Sequence, residues 1–90
     1  MPIFMVERQF AEELEATAER LDGINRINEE EGVQWLYSFL SADRRKTYCL
    51  YEAPSPEAID LAAARAGLPA NAVVEVTDRL LPDGVAAPVR

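Results

Sequence analysis

Ninety residues make one domain, enough for a thin two-layer core and too few for two. A net charge of −7, from 16 acidic against 9 basic residues, argues against nucleic acid as a partner, and no apolar run approaches the roughly 18 residues of a membrane span. A single cysteine excludes an internal disulfide, and the absence of histidine excludes a Ser-His-Asp triad, a Cys-His pair and a His-rich zinc site.

The first residues, Met1-Pro2-Ile3-Phe4-Met5-Val6-Glu7-Arg8, carry no basic leader and no long apolar stretch, which points away from a signal peptide and toward the cytoplasm. Residues 3–8 read as a strand bounded by Pro2, with Phe4, Val6 and Arg8 on one face and Ile3, Met5 and Glu7 on the other. A helix is predicted over 11–30, because Phe10, Leu14, Ala18, Leu21, Ile24 and Ile27 recur at three- and four-residue spacing, with Gly32 placed to end it. The acidic run Glu29-Glu30-Glu31 falls at the helix end where the dipole disfavours negative charge, so it reads as a solvated terminus.

From 33 to 40 the period changes to two, and it resumes over 47–53 after the polar connection Ser41-Ala42-Asp43-Arg44-Arg45-Lys46, so the two segments form a hairpin. The basic residues of that turn read as solubilising charge. Ser55, Pro56 and Glu57 have the properties of N-cap, first helical residue and dipole partner, and Gly67 stops the helix they begin. A last strand covers 72–78. Pro82, Asp83, Gly84 and Pro88 suggest a flexible tail over 81–90, leaving 1–80 as the folded domain.

Strand, helix, strand, strand, helix, strand is the split βαβ pattern of a ferredoxin-like α+β domain, a four-stranded antiparallel sheet with both helices on one face. The phase assigned to the strands puts Phe4, Val6, Leu36, Leu40, Tyr48, Leu50, Val74 and Val76 beneath the helices. It leaves Met5, Glu7, Val33, Trp35, Tyr37, Phe39, Cys49, Tyr51, Val73 and Glu75 on the bare face. So apolar a face is expected to be covered by a second copy, giving a homodimer of the dimeric α/β-barrel type that encloses a cavity or a solid aromatic core.

The segments Val6-Glu7-Arg8, Val33-Gln34-Trp35-Leu36-Tyr37-Ser38, Thr47-Tyr48-Cys49-Leu50-Tyr51-Glu52-Ala53-Pro54 and Gly67-Leu68-Pro69-Ala70-Asn71 resemble the domain of unknown function 4242 family, described as nickel-binding-protein-like. The resemblance covers about residues 2 to 80 and implies a small, dimeric, ferredoxin-like bacterial protein with nickel as cofactor. The chain departs from the family pattern in histidine: Tyr37 stands where one is found in the second strand, and Ala62 or a neighbour where another is found in the second helix. The positions that match at the implied site are Glu7, Trp35, Cys49, Tyr51 and Glu75.

Together these readings nominate Glu7, Trp35, Tyr37, Cys49, Tyr51 and Glu75 as ligand-binding residues, with Glu7, Glu75 and Cys49 the only metal donors on offer. Glu7 and Glu75 lie on neighbouring strands in the expected order, where paired carboxylates in a partly apolar cavity would share a proton or a cation. Three functions follow. One is a non-catalytic module holding a small ligand or a metal between facing sheets. Another is a cofactor-independent isomerase, cyclase or monooxygenase with Glu7 or Glu75 as base and Tyr37 or Tyr51 as donor. The third is a structural interaction protein.

Overall fold

Alternation decides the first strand: in β1 (Ile3–Gln9) Phe4, Val6 and Arg8 are buried while their neighbours are only partly covered. The computed structural model describes residues Met1–Arg90. After β1 come α1 (Ala18–Glu30), β2 (Gln34–Leu40), β3 (Lys46–Glu52), α2 (Pro56–Ala66) and β4 (Ala72–Val76). The pairings are all antiparallel and the sheet runs β2-β3-β1-β4, so the first and last strands lie side by side. Ile27 of α1 and Ile59 and Ala62 of α2 pack against Phe4, Val6, Cys49 and Tyr51, which places both helices on one face of an α+β fold. No helix is long and apolar enough to cross a membrane.

The helix ends follow their capping residues. In α2 the Ser55 hydroxyl accepts from the Ala58 amide at 3.3 Å, Pro56 opens the first turn, and Gly67 closes the last at φ 69°, ψ 28°. That is the left-handed conformation glycine adopts without a side-chain clash. Ser55→Ala is expected to lower stability by about 0.5–2 kcal/mol, read as a lower urea midpoint at unchanged slope; an unmoved midpoint would discount the cap.

α1 begins seven residues later than the periodicity suggests. Thr17 is its N-cap, its hydroxyl accepting from the Arg20 amide at 3.2 Å. The residues before it form no helix because their amides are taken up elsewhere: Phe10 N–H donates to Arg45 C=O at 2.7 Å and Leu14 N–H to Arg44 C=O at 2.8 Å. The result is an irregular strap tied to the β2–β3 turn. At the other end of α1, the acidic run is not merely solvated. Arg65 of α2 pairs with Glu30 at 3.0 Å and Glu31 at 2.8 Å, joining the C-terminal ends of the two helices.

The order of the elements is as predicted, but the phase of the sheet is not. β3 presents Thr47, Cys49 and Tyr51 to the helices, because they stand opposite Arg8, Val6 and Phe4 in the β1 register. Tyr48 and Leu50 therefore face the other way, as do Val74 and Val76, while Val73 sits opposite Val6. On β2 a bulge at Leu36 breaks the alternation: Trp35 pairs with Tyr51, but Tyr37 pairs with Leu50. Trp35 consequently lies under the helices and Tyr37 on the bare face, although they are two residues apart. Beyond β4, Asp78–Leu80 (β5) pairs with Ala86–Pro88 (β6), which lies in the segment 81–90 expected as a tail, to form a separate two-stranded sheet. Arg90 then reaches Glu52 at 2.7 Å.

Candidate functional site

Beneath the strap and α1, the helix-covered face of the sheet is incompletely filled. A half-open cavity of about 140 Å³ remains there. Its floor is made by Arg8, Trp35, Thr47, Cys49 and Tyr51, and its roof by Phe10, Leu14, Leu21 and Ile24, with Leu68 at one side and Glu15 and Arg20 also in the lining. The floor is polar in its details. Trp35 Nε1–H donates to Ser38 Oγ at 2.8 Å across the bulge, and the Cys49 thiol lies 3.4 Å from Thr47 Oγ1.

Arg8 is the unusual residue. It is only 4% exposed, yet none of the ion pairs in the molecule includes it. Its guanidinium donates to the Pro69 carbonyl and, at 3.1 Å, to the Tyr51 hydroxyl, and it lies 5.7 Å from the centroid of the Tyr51 ring. These partners are neutral. A guanidinium carries five N–H donors and a permanent charge, and a charge removed from water without a counter-ion is costly. Burial pushes the Tyr51 phenol above its ordinary value of 10.0, a rise that the nearby Arg8 charge opposes without cancelling. An acid whose folded value is raised supports the fold fully below the unfolded value and loses that support as pH climbs through the folded one. Urea midpoints of the wild type should therefore fall as pH rises past about 10, and Tyr51→Phe should show a shallower fall; equal slopes would contradict the burial of the phenol.

The structure brings some of the nominated residues together and separates others. Trp35, Cys49 and Tyr51 converge on the cavity, inside a single chain rather than between two sheets. Tyr37 lies on the opposite, bare face because of the bulge. Glu7 shares that bare face, opposite Ala72, whereas Glu75 stands opposite Phe4 in the helix-side phase and is exposed. The expected carboxylate pair is thus not formed: the two acids are offset along β1 and on opposite sides of the sheet. Arg8 and the roof residues were not nominated by sequence reading. The signal for Arg8 is a charge in phase with Phe4 and Val6 on a strand whose other face is the open one.

A split βαβ sheet with a half-open cavity beneath its helices makes this a small α+β domain. The chain belongs to the SCO4226-like family, described as nickel responsive protein SCO4226-like, whose model matches residues 4–76. This is the family that the match defines, and its description does not carry the domain of unknown function 4242 label. The crystal structure of SCO4226 from Streptomyces coelicolor A3(2) is similar at a TM-score of 0.64 and 26% identity, over 82% of this chain and 94% of that one. No curated protein matches the chain.

The family description raises nickel, and the residues of this chain do not fit it. Nickel favours imidazole and other borderline donors, and there is no histidine. No group of three His, Cys, Asp or Glu side chains stands close enough to hold an ion. Glu7, Glu75 and Cys49, the donors expected from sequence, are divided between the two faces of the sheet, and Cys49 is buried beside Thr47.

Proposed function

We propose that this protein is a non-catalytic binding module that holds a small, largely apolar ligand in the cavity between the strap and the sheet. The observation that carries the reading is the cavity itself. Its volume of about 140 Å³ is close to the roughly 150 Å³ at which an apolar cavity admits benzene. The enzyme considered above takes Glu7 or Glu75 as its base, and neither lines the cavity that contains Tyr51. The test is titration of the protein with a neutral aromatic probe, benzamide, followed by calorimetry and Trp35 fluorescence. Saturable one-to-one binding is expected in the wild type, weakened at least about tenfold in Leu14→Trp, whose indole would occupy the space. Equal binding by the variant would remove the cavity from consideration.

The bare face favours a second component of the same reading, a homodimer. Tyr37 and Phe39, packed edge-to-face with ring centroids 5.6 Å apart, are 47% and 59% exposed, and Val74 is exposed on the same side of the sheet. Exposed rings grouped on one sheet face are characteristic of an interface. A second copy is the occupant that this face fits, because Tyr37, Phe39 and Val74 form an apolar patch that the same patch of another chain covers about a two-fold axis.

A further inference from the structure

The cavity has one feature that an apolar ligand alone would leave unanswered, the uncompensated charge of Arg8. We propose that the ligand is a small monoanion with an apolar body, a monocarboxylate of about the size of a single aromatic ring, and that Arg8 recognises its charge. This rests on the binding-module reading above and specifies its ligand.

The placement of the groups argues for this class. Arg8 lies on the cavity floor with two of its donors engaged by the neutral oxygens of Pro69 and Tyr51, and the remaining ones have no partner within the protein. A guanidinium presents parallel N–H bonds that match a carboxylate, and bonds to an ionised acceptor are about twice as strong as neutral ones. The Tyr51 hydroxyl, which accepts from Arg8, lines the same cavity. Around this polar spot stand Phe10, Leu14, Leu21, Ile24 and Leu68, which suit a hydrocarbon body.

Two further observations limit the charge and size of the ligand. The chain carries −7 overall, a field that repels polyanions, and of the two lining cations only Arg8 is buried, Arg20 being exposed, so one negative charge is neutralised within the cavity. The only acid in the lining, Glu15, is exposed and forms no ion pair with Arg8, so the site is not already satisfied from within.

The experiment compares benzoate with benzamide, of nearly the same shape but neutral, by calorimetric titration of the full chain at neutral pH. Benzoate is expected to bind at least about tenfold more tightly, the fold-change of one charge-assisted hydrogen bond, and Arg8→Met is expected to reduce that ratio to within about twofold. Equal affinities in the wild type overturn the anion assignment and leave the cavity reading standing. Failure of both probes to bind overturns the two together. A preference for benzoate that survives in Arg8→Met overturns the role of Arg8. Should Arg8→Met fail to fold, the Arg8 Nε–H resonance of the wild type reads the same contact: it shifts with benzoate and not with benzamide, and an unmoved resonance overturns the assignment.

Discussion

Ile59→Ala is expected to destabilise the protein by about 2–5 kcal/mol, a large share of the roughly 5–15 kcal/mol that holds a small domain together. Ile59 is 1% exposed and, with Val6, is the largest side chain wholly enclosed by the fold. It projects from α2 into the cluster formed by Phe4, Val6, Cys49 and Tyr51, so removing it deletes contacts to both central strands at once. The surroundings cannot collapse to fill the gap, because the backbone on that side belongs to a hydrogen-bonded sheet. Urea unfolding should show a lower midpoint at unchanged slope. Leu61→Ala, two residues further along the same helix but 52% exposed, should stay within about 0.5 kcal/mol of the wild type. If the two substitutions cost the same, α2 does not present the face described.

Phe39→Asp is expected to convert a dimer to a monomer while leaving the single-chain fold intact. The ring is more than half exposed in one chain, so an aspartate there is solvated in the monomer. Between two apposed sheets the same carboxylate would be buried without a partner, and truncating a central interface aromatic alone costs about 2 kcal/mol or more. The dissociation constant should therefore rise at least about thirtyfold. Small-angle scattering provides the measurement: the variant should approach the 13.5 Å radius of gyration of one chain, and the wild type should exceed it. A wild type that scatters as one chain at high concentration would rule out the pairing of the bare faces.

The contrast between what was legible in the sequence and what was not is physical rather than accidental. The capping residues Ser55, Pro56 and Gly67 and the changes of hydrophobic period are local signals, and they produced the element order and the α+β class. Strand phase is not local. In β3 both sets of alternating residues, Thr47, Cys49 and Tyr51 against Tyr48 and Leu50, are apolar enough to be buried, and only pairing with Phe4, Val6 and Arg8 on β1 decides between them. The start of α1 was obscured for a similar reason: Phe10 and Leu14 keep helical spacing with Leu21 and Ile24 because all of them line the cavity, yet their amides bond to the turn at Arg44 and Arg45. Of the six residues nominated from the sequence, three line the cavity. Trp35, Cys49 and Tyr51 do meet, but Tyr37, Glu7 and Glu75 were grouped with them by an unbroken period that the bulge and the β1–β4 register do not respect.

Leu36 is a supernumerary residue. Excising it would leave Trp35 opposite Tyr51 and Tyr37 opposite Leu50, now as consecutive rungs of an uninterrupted ladder. The strand therefore has two lengths compatible with one pairing scheme. Matching this strand letter for letter to a relative lacking the extra residue would transpose its two halves: each side chain after Trp35 would be attributed to the wrong side of the sheet, with Tyr37 credited to the interior and Ser38 to the outside.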